Sequence, residues 1–218
     1  MPPKIKIKYT TIQDKILDWY NTNKENYPWR TSQNPFQILI TEILLQKTIA
    51  SNVSNLFQKF FEKYSEFSKI YESKIEEIQG DIKSLGLSNK RAKILKDLSE
   101  LIVKEYNGEI PEDPKALQKV NGIADYVSNA YLCFGLNKRT FFYDVNIKRF
   151  VSRIFEGTDA KISVELIENT LDKILPKQEP KHFYWAILDF GNKICKKSKP
   201  KCNKCPISDL CAYYCSKK

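Results

Sequence analysis

Apolar residues recur at intervals of three and four almost throughout this chain, and polar breaks separate the runs. Ile12, Ile16, Leu17 and Tyr20 predict a first amphipathic helix, ended by the polar stretch 21–26. An aromatic–proline entry, Tyr27-Pro28-Trp29, follows, and Asn34-Pro35 then offers a cap and a first-turn proline for an unusually apolar helix over Phe36 to Leu45. Val53, Leu56, Phe57, Phe60 and Phe61 predict another helix, as do Ile75-Ile78-Ile82 and Ala92-Leu95-Leu98-Ile102, the last stopped by Asn107-Gly108. No alternating run is long enough to make a sheet. The expected class is all-α.

Two carboxylates and one glycine turn stand out against this background. From 117 to 135 a short helix, a turn carrying Gly122 and a second apolar helix read as a helix–hairpin–helix, whose outward amides can hold a phosphate without reading sequence. A glycine between helices is also a common plain connection. Asp144, in Tyr143-Asp144-Val145-Asn146, is placed to cap the next helix, and the donors that cap it would also keep a catalytic carboxylate ionised. Glu42 is the one charge in Phe36 to Gln46. On a half-buried helix it would simply face water; if buried it would hold a proton more readily, as a general acid requires.

Near the carboxyl end Cys195, Cys202, Cys205 and Cys211 lie close enough in sequence to converge on one centre, an iron–sulfur cluster or a zinc ion. The start, Met1-Pro2-Pro3-Lys4, has no secretory apolar stretch, which argues against disulfides and for a reducing, cytoplasmic setting. Cys133 reads as a small core residue, and Cys215 is left over. Lys196, Lys197, Lys199, Lys201 and Lys204 surround the ligand candidates. With 36 Lys+Arg against 26 Asp+Glu, a net charge of +10 favours a polyanionic partner and disfavours an acidic electron carrier. No apolar run is long enough to span a membrane.

Together these residues resemble the DNA glycosylases of the endonuclease III superfamily, and within it the archaeal G·T mismatch thymine glycosylases. The likeness runs from Ile16 to Tyr214 through Pro28-Trp29-Arg30, Ile38 to Leu45, Leu85-Gly86-Leu87-Ser88-Asn89-Lys90-Arg91-Ala92, the hairpin, Asp144-Val145-Asn146, Leu188-Asp189-Phe190-Gly191 and the cysteines. The resemblance implies a [4Fe–4S] cluster on the four cysteines, Asp144 as the essential aspartate, and Glu42 as the glutamate of the mismatch branch. Tyr126 stands where bifunctional members carry a Schiff-base lysine, which implies a monofunctional enzyme without strong lyase activity. Gln46 and Leu87 match residues that enter the duplex. Lys47, Gly122, Ala124, Asn146, Lys196, Lys197 and Lys199 are the further DNA contacts expected. The hairpin departs from the usual pattern at Asn121 and Ala124. Phosphate contact through Ala124 requires that its φ not be positive, and the helix after it looks short before Gly135.

The implied architecture has two lobes: a helical barrel over 35–144, and a cluster lobe built from 1–34 and 145–218, with the substrate cleft between them. The implied substrate is double-stranded DNA with thymine or uracil opposite guanine, handled by a monomer in the cytoplasm, at the nucleoid of an archaeon. Adenine glycosylases acting opposite guanine or 8-oxoguanine share Glu42, Asp144 and the cysteines. The expectation is that no recognition domain like theirs follows Lys218, and Leu87-Ser88-Asn89 replaces their usual continuation. A non-enzymatic DNA-binding or electron-transfer cluster protein would leave Glu42 and Asp144 idle.

Overall fold

The computed structural model describes residues 9–217; the Met1–Lys4 start lies outside them. Among the described residues there are twelve α-helices and no strand, and none of the helices is long and apolar enough to cross a membrane. Cα packing divides the chain into two compact units. Among the described residues, one comprises 26–136, the other 9–25 together with 137–217.

The 26–136 unit holds α2 (Pro35–Leu45), α3 (Ala50–Lys63), α4 (Phe67–Glu72), α5 (Ile75–Asp81), α6 (Ser88–Glu105), α7 (Pro114–Gln118) and α8 (Asp125–Leu136), numbered after α1 of the other unit. Asn34 caps α2 by accepting the Phe36 amide at 3.0 Å, and Pro35 occupies the first turn. Every residue from Ile38 to Leu44 is buried, so α2 is wrapped on all sides, chiefly by α8, α3 and α6. Each of its buried Ile and Leu side chains stabilises the fold by roughly 1.5–3 kcal/mol relative to exposure. The α6 helix stops as its sequence suggests: Asn107 and Gly108 turn left-handed, and the Gly108 amide closes on the Ile102 carbonyl at 3.0 Å.

The second unit contains α1 (Tyr9–Asn23), α9 (Val145–Phe155), α10 (Val164–Ile174), α11 (Pro180–Lys193) and α12 (Ala212–Cys215). Ile12, Ile16 and Tyr20 of α1 face inward, and α1 packs on α11 and α10. Phe150 of α9 meets Phe183 and Phe190 of α11 edge-on, a geometry that suits the ring quadrupoles.

The chain passes from one unit to the other at 25/26 and 136/137. Side-chain packing fits both positions. Trp29 joins the core of the first unit, stacked on Tyr27 and tilted against Phe57. Phe142 stacks on Tyr184 of α11, whose hydroxyl donates to the Thr140 carbonyl at 3.0 Å. The α8 helix differs from its expected length, because it passes through Gly135 to Leu136. A Cβ on Gly135 would sit 3.1 Å from the Tyr131 ring of the same helix, tighter than ordinary contact, so this glycine makes room for that ring.

Candidate active site and cysteine cavity

Asp144 is the N-cap of α9. One carboxylate oxygen accepts the amides of Asn146 at 2.8 Å and Ile147 at 2.9 Å; the other accepts Asn146 Nδ2 at 2.8 Å. Both oxygens are therefore held, at the positive end of an eleven-residue helix, where a negative charge is favoured. Asn146, expected to contact DNA, has its amide engaged on both sides, since its Oδ1 accepts Arg149 Nη2 at 2.7 Å. Arg149 also donates to the carbonyls of Gly191 at 3.0 Å and Cys195 at 2.7 Å. Gly191 makes this possible: a Cβ there would lie 3.0 Å from Asn146 Cβ and 3.1 Å from Arg149 Nη2.

The chain of bonds ends at the cysteine loop. Cys195, Cys202, Cys205 and Cys211 line one pocket, together with apolar side chains including Ile154, Phe190 and Ile207. Burial, reinforced by the neighbouring thiols, pushes the Cys205 thiol up to about 12 and Cys211 to about 11. Beside them Arg153, 2% exposed, donates to the carbonyls of Lys196 and Lys197 and reaches 3.6 Å from the Cys195 sulfur. Burial opposes its charge, but Asp159 and Cys195 outweigh that and raise its pKa.

The donor set is four thiols in an apolar pocket with a buried cation, Arg153, at its edge. Among the described residues no three His, Cys, Asp or Glu side chains gather as the ligands of one metal ion. Four thiols lining one pocket are a donor set that fits an iron–sulfur cluster, and a zinc ion takes the same type of ligand. Cys133 is buried in α8, and Cys215 is not among the cavity residues. Lys196, Lys197, Lys199, Lys201 and Lys204 are all exposed on the loop.

The remaining candidates belong to the 26–136 unit. Glu42 is 4% exposed within α2, so it does not face water. Tyr126 is half-buried in the first turn of α8, packed against the core. Gly122 has φ +110°, and a Cβ there would lie 2.4 Å from Ile94 Cδ1, so the hairpin needs a glycine. Ala124 is absent from the positive-φ residues, which satisfies the condition set for its amide. Gln46 Nε2 donates to the Gly122 carbonyl at 3.1 Å. Lys47 and Leu87 both adopt left-handed backbone, and Leu87 is 54% exposed.

Two arginines at the heart of these networks, Arg149 and Arg153, and a third, Arg91, buried in α6, drew no role from sequence. A signal was present. Of the 36 Lys+Arg only five are arginine, and where lysine is the default cation, a retained arginine marks a place that needs a planar fork of donors.

Residues 40–177 match the family described as HhH-GPD superfamily base excision DNA repair protein. The chain is 36% identical over 201 residues to a thymine/uracil-DNA glycosylase of Methanothermobacter thermautotrophicus, covering 91% of each. Its structure is similar to that of a thermostable thymine-DNA glycosylase, with a TM-score of 0.88, 36% identity, and coverage of 94% of this chain and 96% of that one. It is also similar to endonuclease III in a trapped covalent complex with DNA, with a TM-score of 0.81, 26% identity, and coverage of 97% and 99%.

Proposed function

The chain belongs to the HhH-GPD superfamily of base excision DNA repair proteins, and we propose that it hydrolyses the N-glycosidic bond of thymine or uracil mispaired with guanine in duplex DNA. The observation that carries the chemistry is Asp144, with both carboxylate oxygens fixed at the start of α9. Glycosidic cleavage puts positive charge on the sugar as the base departs, and a carboxylate held in place stabilises it without reorganising in the transition state. It also orients the attacking water. The choice of base rests on the likeness to thymine/uracil glycosylases across 91% of both chains.

A base inside a duplex is out of reach, so the nucleotide is first extruded, and a mispaired one costs less to extrude than a paired one. Gln46 and Leu87 fill the vacated space. Glu42, buried in α2, donates a hydrogen bond to the departing base, modest help that suits thymine and uracil because they leave as tolerable anions. Tyr126 has no amine with which to form an imine, so the strand is left uncut. Lys47, the hairpin amides of Gly122 and Ala124, and Lys196, Lys197 and Lys199 hold phosphates, an interaction that weakens with salt. The protein works as a monomer in a reducing, cytoplasmic compartment.

Cys195, Cys202, Cys205 and Cys211 would hold a [4Fe–4S] cluster, which when bound supplies a cross-link that closes the lysine-bearing loop. Arg153 beside Cys195 balances the negative charge such a ligand set carries. Single-turnover excision on duplexes that differ only in the target pair tests the reading. T·G and U·G should be processed well ahead of A·G and A·8-oxoguanine, and faster adenine release would overturn the assignment.

A further inference from the structure

Arg91 is 2% exposed in the first turns of α6, yet its side chain serves loops well outside that helix. Nη1 donates to the carbonyls of Leu85, at 2.9 Å, and of Gly86; Nη2 donates to the Gln46 carbonyl and to Thr48 Oγ1. The Thr48 hydroxyl in turn donates to the Leu85 carbonyl at 3.2 Å, and Gln46 Nε2 reaches the hairpin at Gly122. One guanidinium thus ties residues 46–48 to residues 85–86. The backbone around it is strained: Lys47, Gly86 and Leu87 all have positive φ, and two of the three are not glycine. Such conformations persist only where the surroundings over-determine them. Each loop also holds a large apolar side chain out in solvent, Ile49 at 71% exposure and Leu87 at 54%.

We propose that Arg91 is a positioning residue that locks the Gln46–Ile49 and Leu85–Leu87 loops into one preformed wedge, so that both enter the duplex together when a base is extruded. The inference rests on the reading of Gln46 and Leu87 as the duplex-entering residues. Ordering two loops at the moment of extrusion would slow that step, and the buried fork removes the need. Lysine cannot replace it, because one ammonium cannot present paired donors to carbonyls on both loops.

Extrusion is read directly by stopped-flow fluorescence of 2-aminopurine beside the target in a U·G duplex, with chemistry silenced by Asp144→Asn. In that background Arg91→Lys should slow the fluorescence rise at least about tenfold, and Thr48→Val about threefold, with the Kd for matched duplex changed by less than about twofold. Adding Leu87→Ala to Arg91→Lys should cost little more than either change alone, because the two act as one unit. Wild-type extrusion rates in the folded variants, or losses that simply multiply, would overturn the proposal. A parallel fall in matched-duplex binding and extrusion would reduce Arg91 to a structural role and overturn it too. If Arg91→Lys does not fold, Thr48→Val decides by the same criteria. Failure of the substrate reading is distinguishable, since it would show as absent excision by the unmodified protein whatever the extrusion rate.

Discussion

Asn146 Nδ2 donates to Asp144 Oδ2 at 2.8 Å, while the same side chain's Oδ1 accepts from Arg149. The carboxylate is thus oriented by a group that is itself oriented, through Arg149, by the carbonyls of Gly191 and Cys195. The Asp144→Asn protein keeps a good helix cap, so its stability should change by no more than about 1 kcal/mol. Its single-turnover excision should fall by several orders of magnitude, with mismatch binding nearly intact. Excision at the unmodified rate would remove Asp144 from the chemistry.

Removing the orienting group should give a smaller loss. Asn146→Ala leaves both capping amides on Asp144 but takes the donor from its second oxygen and one acceptor from Arg149, which keeps its bonds to Gly191 and Cys195. The expected effect is a fall of about tenfold in the single-turnover rate, roughly the 1–1.5 kcal/mol of one hydrogen bond, with iron content unchanged. A loss as deep as that of Asp144→Asn would mean that Asn146 touches the substrate directly.

Much of this architecture was legible in the chain because it depends on local pattern. The run from Phe36 to Leu45 reads as a buried helix since every side of it is apolar, and Asn34-Pro35 marks its start. The cysteine spacing named its own site for a similar reason: ligands close in sequence need only a short loop to share a cavity. The scarcity of arginine marked Arg91 and Arg149, but their partners were illegible, since some lie about 45 residues away and a guanidinium's choice of carbonyls is settled by tertiary packing. Gly135 misled as a stop, since it stays helical and leaves room for the Tyr131 ring one turn earlier.

Gly122→Ala should be among the most damaging single-methyl changes. The site has φ +110°, and the new Cβ would fall 2.4 Å from Ile94 Cδ1, so strain and overpacking act together. A loss of about 2–4 kcal/mol is expected, measured by denaturant unfolding. Gly80→Ala, in open space on α5, should be neutral or mildly stabilising.

Protein produced with ample iron should be yellow-brown, with iron and sulfide in equal amounts, and should lose both when any one of Cys195, Cys202, Cys205 or Cys211 is changed to alanine. Such loss should destabilise the loop that Arg153 and Arg149 hold, seen as protease cleavage near Lys197. Alanine at Cys133 or Cys215 should leave the metal content unchanged, because neither thiol lines the cavity. Stoichiometric zinc in place of iron would contradict the cluster assignment.

The absence of an amine at position 126 gives the last prediction. Lyase activity needs a nitrogen nucleophile that attacks the sugar carbon and holds it as an imine, and a phenol cannot do this. Excision should therefore leave an intact strand that breaks only after alkali, and borohydride should trap no covalent adduct. Tyr126 sits in the first turn of α8, half-buried against the core, where a lysine's long apolar stem can follow the same path to the surface. Tyr126→Lys should accordingly fold and gain a borohydride-trappable adduct. A strong adduct in the unmodified protein would point instead to Lys47, which stands exposed on a left-handed backbone, or to Lys148 on α9.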